Sequence, residues 1–128
     1  MQASRDMLEA MDVLTARRDF LAVQSSGIKW VSHGLALQIR ESGGEDLRVG
    51  YTVTKRIDKS AVKRNRIKRR LRAVAADILP LHAKRGCDYV LVGRHGTALR
   101  PYEDLKKDLI WCLKRTGHAR PKSAGETT

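Results

Sequence analysis

The sequence predicts an α+β fold in which three helices and four strands form a two-layer sandwich, in the order αβββαβα. Three observations support this prediction. Residues 35–40 and 47–54 alternate between apolar and other side chains, as half-buried strands do. Residues 60–80 carry apolar side chains at helical spacing, although the segment is strongly basic. Residues 88–93 are nearly all apolar, which predicts a buried strand after that helix.

Two segments precede the first strand. Residues 1–13 contain apolar residues at helical spacing with acidic residues between them, and we expect an N-terminal extension that forms a frayed or marginal helix. Residues 15–24 predict a short helix whose apolar side carries Phe20 and Val23. Gly27 follows this helix and suits a left-handed cap.

The first three strands are predicted over residues 28–32, 35–40 and 47–54, with a turn at 43–46. In the third strand the side chains alternate between an apolar face and a small, polar one. The small, polar face comprises Gly50, Thr52 and Thr54. This pattern predicts a sheet surface that is open to water.

The basic helix follows the third strand, with Ser60 as its expected N-cap and Pro80 as its expected end. Seven of the ten residues at 63–72 are Lys or Arg, and none is acidic. The apolar stripe of this helix comprises Ile67, Leu71, Val74 and Ile78. The opposite face comprises Asn65, Arg69 and Arg72, flanked by Arg66 and Lys68. The helix would therefore present a rigid row of cations to a polyanion, of which nucleic acid is the commonest.

After the fourth strand, a basic turn leads to a last helix that begins near Pro101, and Gly117 is expected to cap it. The predicted buried stripe of this helix comprises Leu105, Leu109, Cys112 and Leu113. We therefore predict a single domain over residues 14–117 and a flexible tail over residues 118–128.

The charge balance predicts an anionic partner. Lys and Arg number 26 against 14 Asp and Glu, a formal net charge of +12. Such a field favours phosphate-rich partners, although a solvated surface that provides only solubility is the alternative. No secretory signal or membrane-length apolar run is evident, so we expect a cytoplasmic protein with no membrane partner. Cys87 and Cys112 are too isolated for a zinc site or a disulfide framework, and we expect free thiols.

No catalytic constellation can be assembled from the sequence. The histidines are scattered without paired acids: His33, His82, His95 and His118. Motifs of zinc hydrolases, dithiol redox sites, phosphate-binding loops and serine hydrolases are absent from the sequence. Three acids near strand or helix ends are interpreted as turn and capping residues: Asp58, Asp88 and Asp104. We therefore predict a binding protein with no catalytic residue and no metal ligand set of its own.

The residue pattern leaves some uses of these surfaces open. A dimeric basic-region DNA reader would need heptads that continue the basic helix, and Pro80 is expected to end it first. Asn65 can donate and accept, so it can pair with a base edge, a 2′-hydroxyl or a hydrated metal, whereas Arg only donates. Phe20 either packs in the core or lies partly exposed beside Arg17 and Arg18, where it could meet an unpaired base or sugar.

Four blocks of the sequence resemble the protein subunit of bacterial ribonuclease P. Residues 48–56 read RVGYTVTKR, and residues 61–72 read AVKRNRIKRRLR, whose Arg-Asn-Arg core looks like the signature helix of that family. Residues 18–20 (RDF) and 88–92 (DYVLV) also agree. The resemblance covers about residues 14–117, in the same order of elements.

The resemblance implies a fold, a function and partners. The fold is a four-stranded mixed sheet with a left-handed βαβ crossover through the basic helix, of the ribosomal protein S5 domain 2-like type. The function is that of the protein cofactor of an endonuclease that removes the 5′ leader from precursor tRNA. The partners are the catalytic RNA subunit and the single-stranded leader. The RNA subunit and its Mg²⁺ carry the chemistry, so the protein alone is expected to be inactive.

The resemblance also implies two binding surfaces. The expected RNA-subunit ligands are Arg64, Asn65, Arg66, Lys68, Arg69 and Arg72. The expected leader ligands, in a cleft between the first helix and the open sheet face, are Phe20, Lys55, Arg56 and Arg94. The family often carries a second aromatic residue where this chain has Gln24, so leader contact is expected to depend more on charge. Lys63 and Arg70 lie nearer the apolar side of the helix and are not expected to contact RNA.

The alternative function is that of a structural RNA-binding protein, such as a ribosomal component, and a DNA-binding regulator comes third. Copurification of ribosomal RNA would support the ribosomal component, and copurification of one RNA of a few hundred nucleotides would support the ribonuclease P subunit. Competition by duplex DNA at physiological salt would reveal the regulator.

Overall fold

The computed structural model describes residues 11–120 of the 128-residue chain. Its elements in chain order are β1 (Asp12–Val13), α1 (Arg17–Ser25), β2 (Ile28–Val31), β3 (Leu35–Glu41), β4 (Leu47–Thr52), α2 (Ala61–His82), β5 (Cys87–Gly93) and α3 (Tyr102–Thr116). The predicted order αβββαβα is present from α1 onwards. No helix within this part of the chain is both long and apolar enough to cross a membrane.

The strands form one mixed sheet in the order β1-β4-β5-β3-β2. β4 runs parallel to β5, so α2 is the crossover helix that joins two neighbouring parallel strands. β3 is antiparallel to both β5 and β2. The left-handed sense of the crossover stays a prediction from the resemblance.

The predicted number of strands was wrong, because β1 adds a fifth strand to the four that the sequence indicates. Asp12 and Val13 pair in parallel with Arg48 and Val49 of β4. A two-residue strand is too short to show an alternating pattern, and its pairing depends on a segment far along the chain. This strand lies in the stretch that was predicted as a helical extension, and the rest of that extension, residues 1–10, lies outside the described residues.

The main hydrophobic core lies between one face of the sheet and the helices α2 and α3. The apolar stripe predicted for α2 is buried there, and so is the stripe predicted for α3. The short helix α1 lies across the opposite face, where Leu14, Val23 and Val90 form a smaller cluster with Phe20 and Val92 at its edge. Because α1 covers only part of this face, the rest of it is accessible.

Helix α2 begins at a serine N-cap and ends two residues after a proline in its last turn. The Ser60 hydroxyl accepts a hydrogen bond from the Lys63 backbone N–H at 3.3 Å, which confirms the predicted N-cap. Pro80 does not end the helix, as the sequence suggested, but lies buried in its last turn, and the helix continues to His82. A proline in a last turn removes one backbone hydrogen bond, and burial against the core offsets that loss. The helix still ends without a heptad extension.

The predicted division into residues 1–13, 14–117 and 118–128 needs an adjustment at its C-terminal edge. His118 is buried, and its Nε2 atom lies 2.9 Å from a carboxylate oxygen of Glu41. Ala119 forms a β-bridge with Ala83. The first residues of the predicted tail therefore pack on the domain, whereas residues 121–128 lie outside the described part of the chain.

Candidate nucleic-acid interface

The outward face of α2 holds three exposed polar side chains: Asn65, Arg66 and Arg69. They project away from the buried stripe that includes Ile67 and Leu71. Within residues 11–120, none of the three side chains forms a hydrogen bond or a salt bridge with another residue. Their donor groups are therefore available to an external acceptor, as the sequence predicted for a polyanion-binding face.

Two other arginines of the same helix bind the backbone of the protein itself. The Arg64 Nη1 atom donates to the carbonyl oxygens of Asp58 and Lys59, both at 2.9 Å. Arg70 donates to carbonyl oxygens of the loop that follows β5, including Thr97 at 3.1 Å and Ala98 at 2.6 Å. Arg70 therefore fixes a loop. Arg64 has one nitrogen committed to the connector that precedes α2, so its proposed RNA contact would use the rest of its guanidinium.

A cleft of about 470 Å³ opens on the sheet face that α1 leaves uncovered. It is lined by Thr15, Arg17, Phe20, Gln24, Gln38, Tyr51, Thr52, Thr54, Lys68, Val90 and Val92. The lining therefore combines two aromatic rings, two amides, three hydroxyls, two cations and two aliphatic side chains. This mixture suits a nucleotide, because rings stack on bases, amides bind base edges and cations bind phosphate.

Phe20 lies between the core and the cleft. Its ring packs beside the cluster of Leu14, Val23 and Val90, and it also lines the cleft. A methyl group added at Gly50 would lie 2.7 Å from two carbons of the ring. The small residue in β4 therefore provides the seat for Phe20, and the expected small face of that strand is confirmed as one wall of the cleft.

Tyr51 joins the cleft to α2. Its ring lines the cleft, and the guanidinium of Arg72 lies 5.5 Å from the ring centroid. Burial raises the pKa of Tyr51, and the smaller opposing effect of Arg72 does not reverse this, so the hydroxyl stays neutral at neutral pH. Lys68 of α2 lines the same cleft. Two of the six residues predicted to bind the RNA subunit thus lie at the edge of the cleft rather than on the outward face.

Three of the four predicted leader ligands lie outside the cleft lining. Lys55 and Arg56 are exposed in the turn after β4, which is closed by a hydrogen bond from the Ile57 N–H to the Thr54 carbonyl at 3.0 Å. Arg94 follows β5, and its guanidinium donates to the Ser32 carbonyl oxygen. Of the predicted set, only Phe20 lines the cleft.

A buried ion pair supports the floor beside the cleft. Arg48 of β4 donates from Nε and Nη2 to the two carboxylate oxygens of Asp88 in β5, both at 2.8 Å. Asp88 is fully buried, Arg40 lies 3.6 Å from it, and Asp19 of α1 lies 3.9 Å from Arg48. The interpretation of Asp88 as a turn or capping residue was therefore wrong. Its partner lies 40 residues away, so only the pairing of β4 with β5 reveals the contact.

Comparison with known proteins identifies the family. The chain matches the sequence profile of the family described as Ribonuclease P over residues 8–117. This chain belongs to the Ribonuclease P family. A Ribonuclease P protein component from Paramagnetospirillum magneticum is 44% identical over 125 residues, which cover 94% of this chain and 93% of that protein. Another from Caulobacter vibrioides (strain NA1000 / CB15N) is 42% identical over 103 residues, covering 78% of this chain and 67% of that one.

Solved structures of Ribonuclease P proteins share the fold. The RNase P protein from Thermotoga maritima superposes with a TM-score of 0.69 at 24% identity, covering 81% of this chain and 96% of that one. The Staphylococcus aureus RNase P protein superposes with a TM-score of 0.68 at 19% identity, covering 84% and 97%. At these identities the likeness shows the fold alone, and it agrees with the α+β class predicted from the sequence.

The sequence interpretation that the histidines lack paired acids was wrong for His118, whose Nε2 atom lies 2.9 Å from a carboxylate oxygen of Glu41, a residue 77 positions away in the sequence. Burial raises the pKa of Cys112 to about 11, and burial also raises the pKa of Cys87, so both thiols stay protonated at neutral pH. Asp58 accepts a hydrogen bond from the Ser60 N–H at 2.9 Å, which is the turn role expected of it. Residues 11–120 contain no group of three or more His, Cys, Asp or Glu side chains that could hold a metal ion.

Sequence reasoning did not assign Arg17, Gln38 or Tyr51 to the cleft, and it missed the dual position of Lys68. Gln24, which stands where the resemblance implies that the family often has a second aromatic residue, lies one helical turn after Phe20 and lines the cleft. Gln38 is the polar member of an otherwise apolar stretch of β3, and its polarity is a weak signal of an open face. Alternation along β4 places Tyr51 on the apolar face, and no local pattern shows that its ring also lines the cleft.

Proposed function

We propose that this chain is the protein component of a ribonuclease P holoenzyme, which removes the 5′ leader from precursor tRNA by endonucleolytic cleavage. The outward face of α2 binds the catalytic RNA subunit, and the cleft binds the single-stranded leader. The observation that carries this proposal is the combination, in one member of the Ribonuclease P family, of a nucleotide-sized cleft and a cationic helix face whose side chains Asn65, Arg66 and Arg69 have no partner within residues 11–120.

The RNA subunit and its Mg²⁺ supply the chemistry in this proposal. The resemblance to ribonuclease P proteins is the ground on which we assign the Mg²⁺ to sites on the RNA subunit. The protein contributes binding. Cations on α2 neutralise phosphate repulsion where the RNA subunit and the substrate meet, and this should lower the Mg²⁺ concentration required for activity. The holoenzyme is expected to act in the cytoplasm.

Three types of side chain in the cleft have roles in leader binding: aromatic rings, amides and a cation. Phe20 and Tyr51 offer faces on which a base can stack. The amides of Gln24 and Gln38 can donate to and accept from a base edge or a ribose hydroxyl. Lys68 lies at the edge of the cleft on α2 and can bind a backbone phosphate. Because Lys68 belongs to the same helix as the outward cations, the leader would leave the cleft beside the RNA subunit.

The proposal predicts that cleavage requires both components. Purified protein alone should leave precursor tRNA intact, whereas the protein with the catalytic RNA subunit should trim the leader at modest Mg²⁺ concentration. The protein should bind the RNA subunit with an affinity that falls by about 10³–10⁵ between 50 and 200 mM salt, if roughly six to ten phosphates are contacted. Robust cleavage by protein free of RNA would refute the proposal, and copurification of ribosomal RNA alone would favour a ribosomal component.

The role of the cleft is tested by Phe20→Ala. Loss of one stacked base should weaken binding of precursor tRNA by about 1–3 kcal/mol, roughly 5- to 150-fold, because the leader loses its aromatic platform. Binding of mature tRNA, which has no leader, should stay unchanged in the same equilibrium titrations. Leu21→Ala is the matched control, since Leu21 is an exposed apolar residue of the same helix that does not line the cleft. Equal weakening of precursor and mature tRNA binding would refute the assignment of the leader to the cleft.

A further inference from the structure

Both tryptophans of the chain lie together at the β2 edge of the sheet, on the face that packs against α3. Trp30 is in β2, the outermost strand on that side of the sheet, and Trp111 is in α3. Their rings meet edge to face, with centroids 5.7 Å apart and planes at 72°. The guanidinium of Arg115 lies over the Trp30 ring, 4.8 Å from its centroid. None of these residues lines the cleft.

Packing against the core explains the position of Trp30 but not the exposure of Trp111. Trp30 is half-buried and packs against the main core, which explains its presence at the edge of the sheet. Trp111 is 46% exposed, on the side of α3 that faces away from its buried stripe. The contact with Trp30 holds the Trp111 ring in one orientation, so the ring offers a preformed flat surface at little further cost in side-chain entropy.

Cations surround the exposed ring. Lys107, Trp111 and Lys114 lie at helical spacing on one side of α3, and Arg115 is beside them. All three cations are exposed, and none of them forms a salt bridge within residues 11–120. The neighbouring acids are engaged elsewhere, because Glu103 pairs with Lys106 at 3.1 Å and Asp108 pairs with Arg100 at 2.9 Å. The half-buried Asp104 is the acid closest in sequence that stays unpaired within these residues.

An exposed indole within a cluster of cations suits a nucleobase and its flanking phosphates. The ring supplies a π-face for stacking, and the cations supply charge to the backbone on either side. An acidic peptide would satisfy the cations but would not use the flat ring. We therefore define the Trp111 surface as Trp30, Lys107, Trp111, Lys114 and Arg115.

We propose that the Trp111 surface is a second docking site for the RNA subunit, at which Trp111 stacks on an unpaired nucleobase while Lys107, Lys114 and Arg115 bind adjacent phosphates. This inference rests on the proposed function. The RNA subunit is favoured over the precursor tRNA because α2 and α3 pack side by side on one sheet face. An RNA that is docked on the outward face of α2 can therefore continue over α3, whereas the cleft lies on the opposite face beside α1.

Intrinsic fluorescence tests this proposal directly, since the chain has two tryptophans and only Trp111 is exposed. Titration of the wild-type protein with the RNA subunit should quench the emission through stacking. In Trp111→Phe the quenching should largely disappear, while the affinity should stay within a few-fold because a phenyl ring still stacks. Trp111→Ala should weaken RNA-subunit binding by about 5- to 150-fold, the range for one stacked base.

Leu81→Ala is the matched control, because Leu81 is similarly exposed on the last turn of α2. Circular dichroism should show unchanged secondary structure for the Leu81 and Trp111 variants. If the wild-type protein fails to bind the RNA subunit, the proposed function itself is wrong. If the wild-type protein binds the RNA subunit normally and Trp111→Ala binds it equally well, only the present inference is overturned.

Other occupants of the Trp111 surface would give different results. Quenching that increases with protein concentration in the absence of RNA would assign the surface to a second copy of the chain. Quenching by precursor tRNA without the RNA subunit would assign it to the substrate. If truncation after Arg120 increased the tryptophan emission of the free protein, the Trp111 surface would be assigned to residues 121–128. Each of these results would overturn the proposal.

Discussion

The outward face of α2 and the cleft beside α1 differ in how the fold supports them. Asn65, Arg66 and Arg69 project from a helix whose opposite side is buried, and their side chains have no partner within residues 11–120. The cleft residues are held by contacts: Phe20 rests on Gly50, and the Tyr51 ring packs under Arg72. The first surface is convex and dominated by charge, whereas the second is concave and chemically mixed.

This difference predicts different responses to change. A convex row of cations binds mainly through electrostatic attraction to phosphate, so it should be sensitive to salt and tolerant of Lys–Arg exchange at sites without bidentate contacts. A cleft that depends on ring placement should be sensitive to small changes in shape. The variants below test that contrast, starting with the largest expected effect.

The outward face is tested by the double variant Arg66→Ala, Arg69→Ala. If each arginine makes one charge-assisted hydrogen bond to phosphate, the loss should be about 3 kcal/mol or more, roughly 100-fold in affinity for the RNA subunit. Thermal unfolding of the free protein should change little, since neither side chain contacts the described fold. The double variant Lys29→Ala, Lys84→Ala removes the same charge from exposed sites off α2 and is the control. Equal losses for the two double variants would mean that net charge, rather than the face, determines binding.

The support of the cleft floor is tested by Arg48→Ala. Asp88 would remain buried with only Arg40 nearby, at 3.6 Å, and an uncompensated buried carboxylate should cost about 3 kcal/mol of unfolding free energy in urea denaturation. Arg40→Ala should cost much less, because its guanidinium is more exposed and lies farther from the carboxylate. A loss below about 1 kcal/mol for Arg48→Ala would show that water or Arg40 compensates for the missing partner.

The shape of the cleft is tested by Gly50→Ala. The new methyl group would lie 2.7 Å from the Phe20 ring and 3.1 Å from Leu14, so the ring must shift, at a cost of about 1–3 kcal/mol in stability. Binding of leader-containing precursor tRNA should fall while the intrinsic affinity for the RNA subunit stays near the wild-type value. Gly44→Ala, where a methyl group meets nothing within 4 Å, is the matched control. Unchanged leader binding in Gly50→Ala would indicate that the ring position is not important.

The predicted leader ligands outside the cleft lining should have the smallest effects. Lys55→Ala and Arg56→Ala remove exposed charges from the turn after β4, and each should change precursor tRNA affinity by about 0.2–1 kcal/mol, less than roughly fivefold at moderate salt. The effect should diminish further as ionic strength rises. A loss greater than tenfold in either variant would extend the leader path beyond the cleft to this turn.

The sequence alone predicted much of the fold, because the signals are local. Alternation in β3 and β4, the apolar stripes of α2 and α3, the Ser60 cap and the left-handed Gly27 and Gly117 each depend on residues within about two helical turns. The order of elements and the concentration of cations on one face of α2 follow from the same periodicities. Local periodicity and capping residues were therefore sufficient to predict these features.

Only the tertiary structure decided which charged residues serve the fold and which are available to a partner. Arg66 and Arg70 are the same residue type, one helical turn apart. Arg70 nevertheless binds a loop 27 residues away, whereas Arg66 has no partner in the described chain. Asp88 forms an ion pair with Arg48 because β4 and β5 pair in parallel. Lys68 lines the cleft because α2 passes beside Tyr51. Such contacts join residues that are distant in sequence, so no local periodicity carries them.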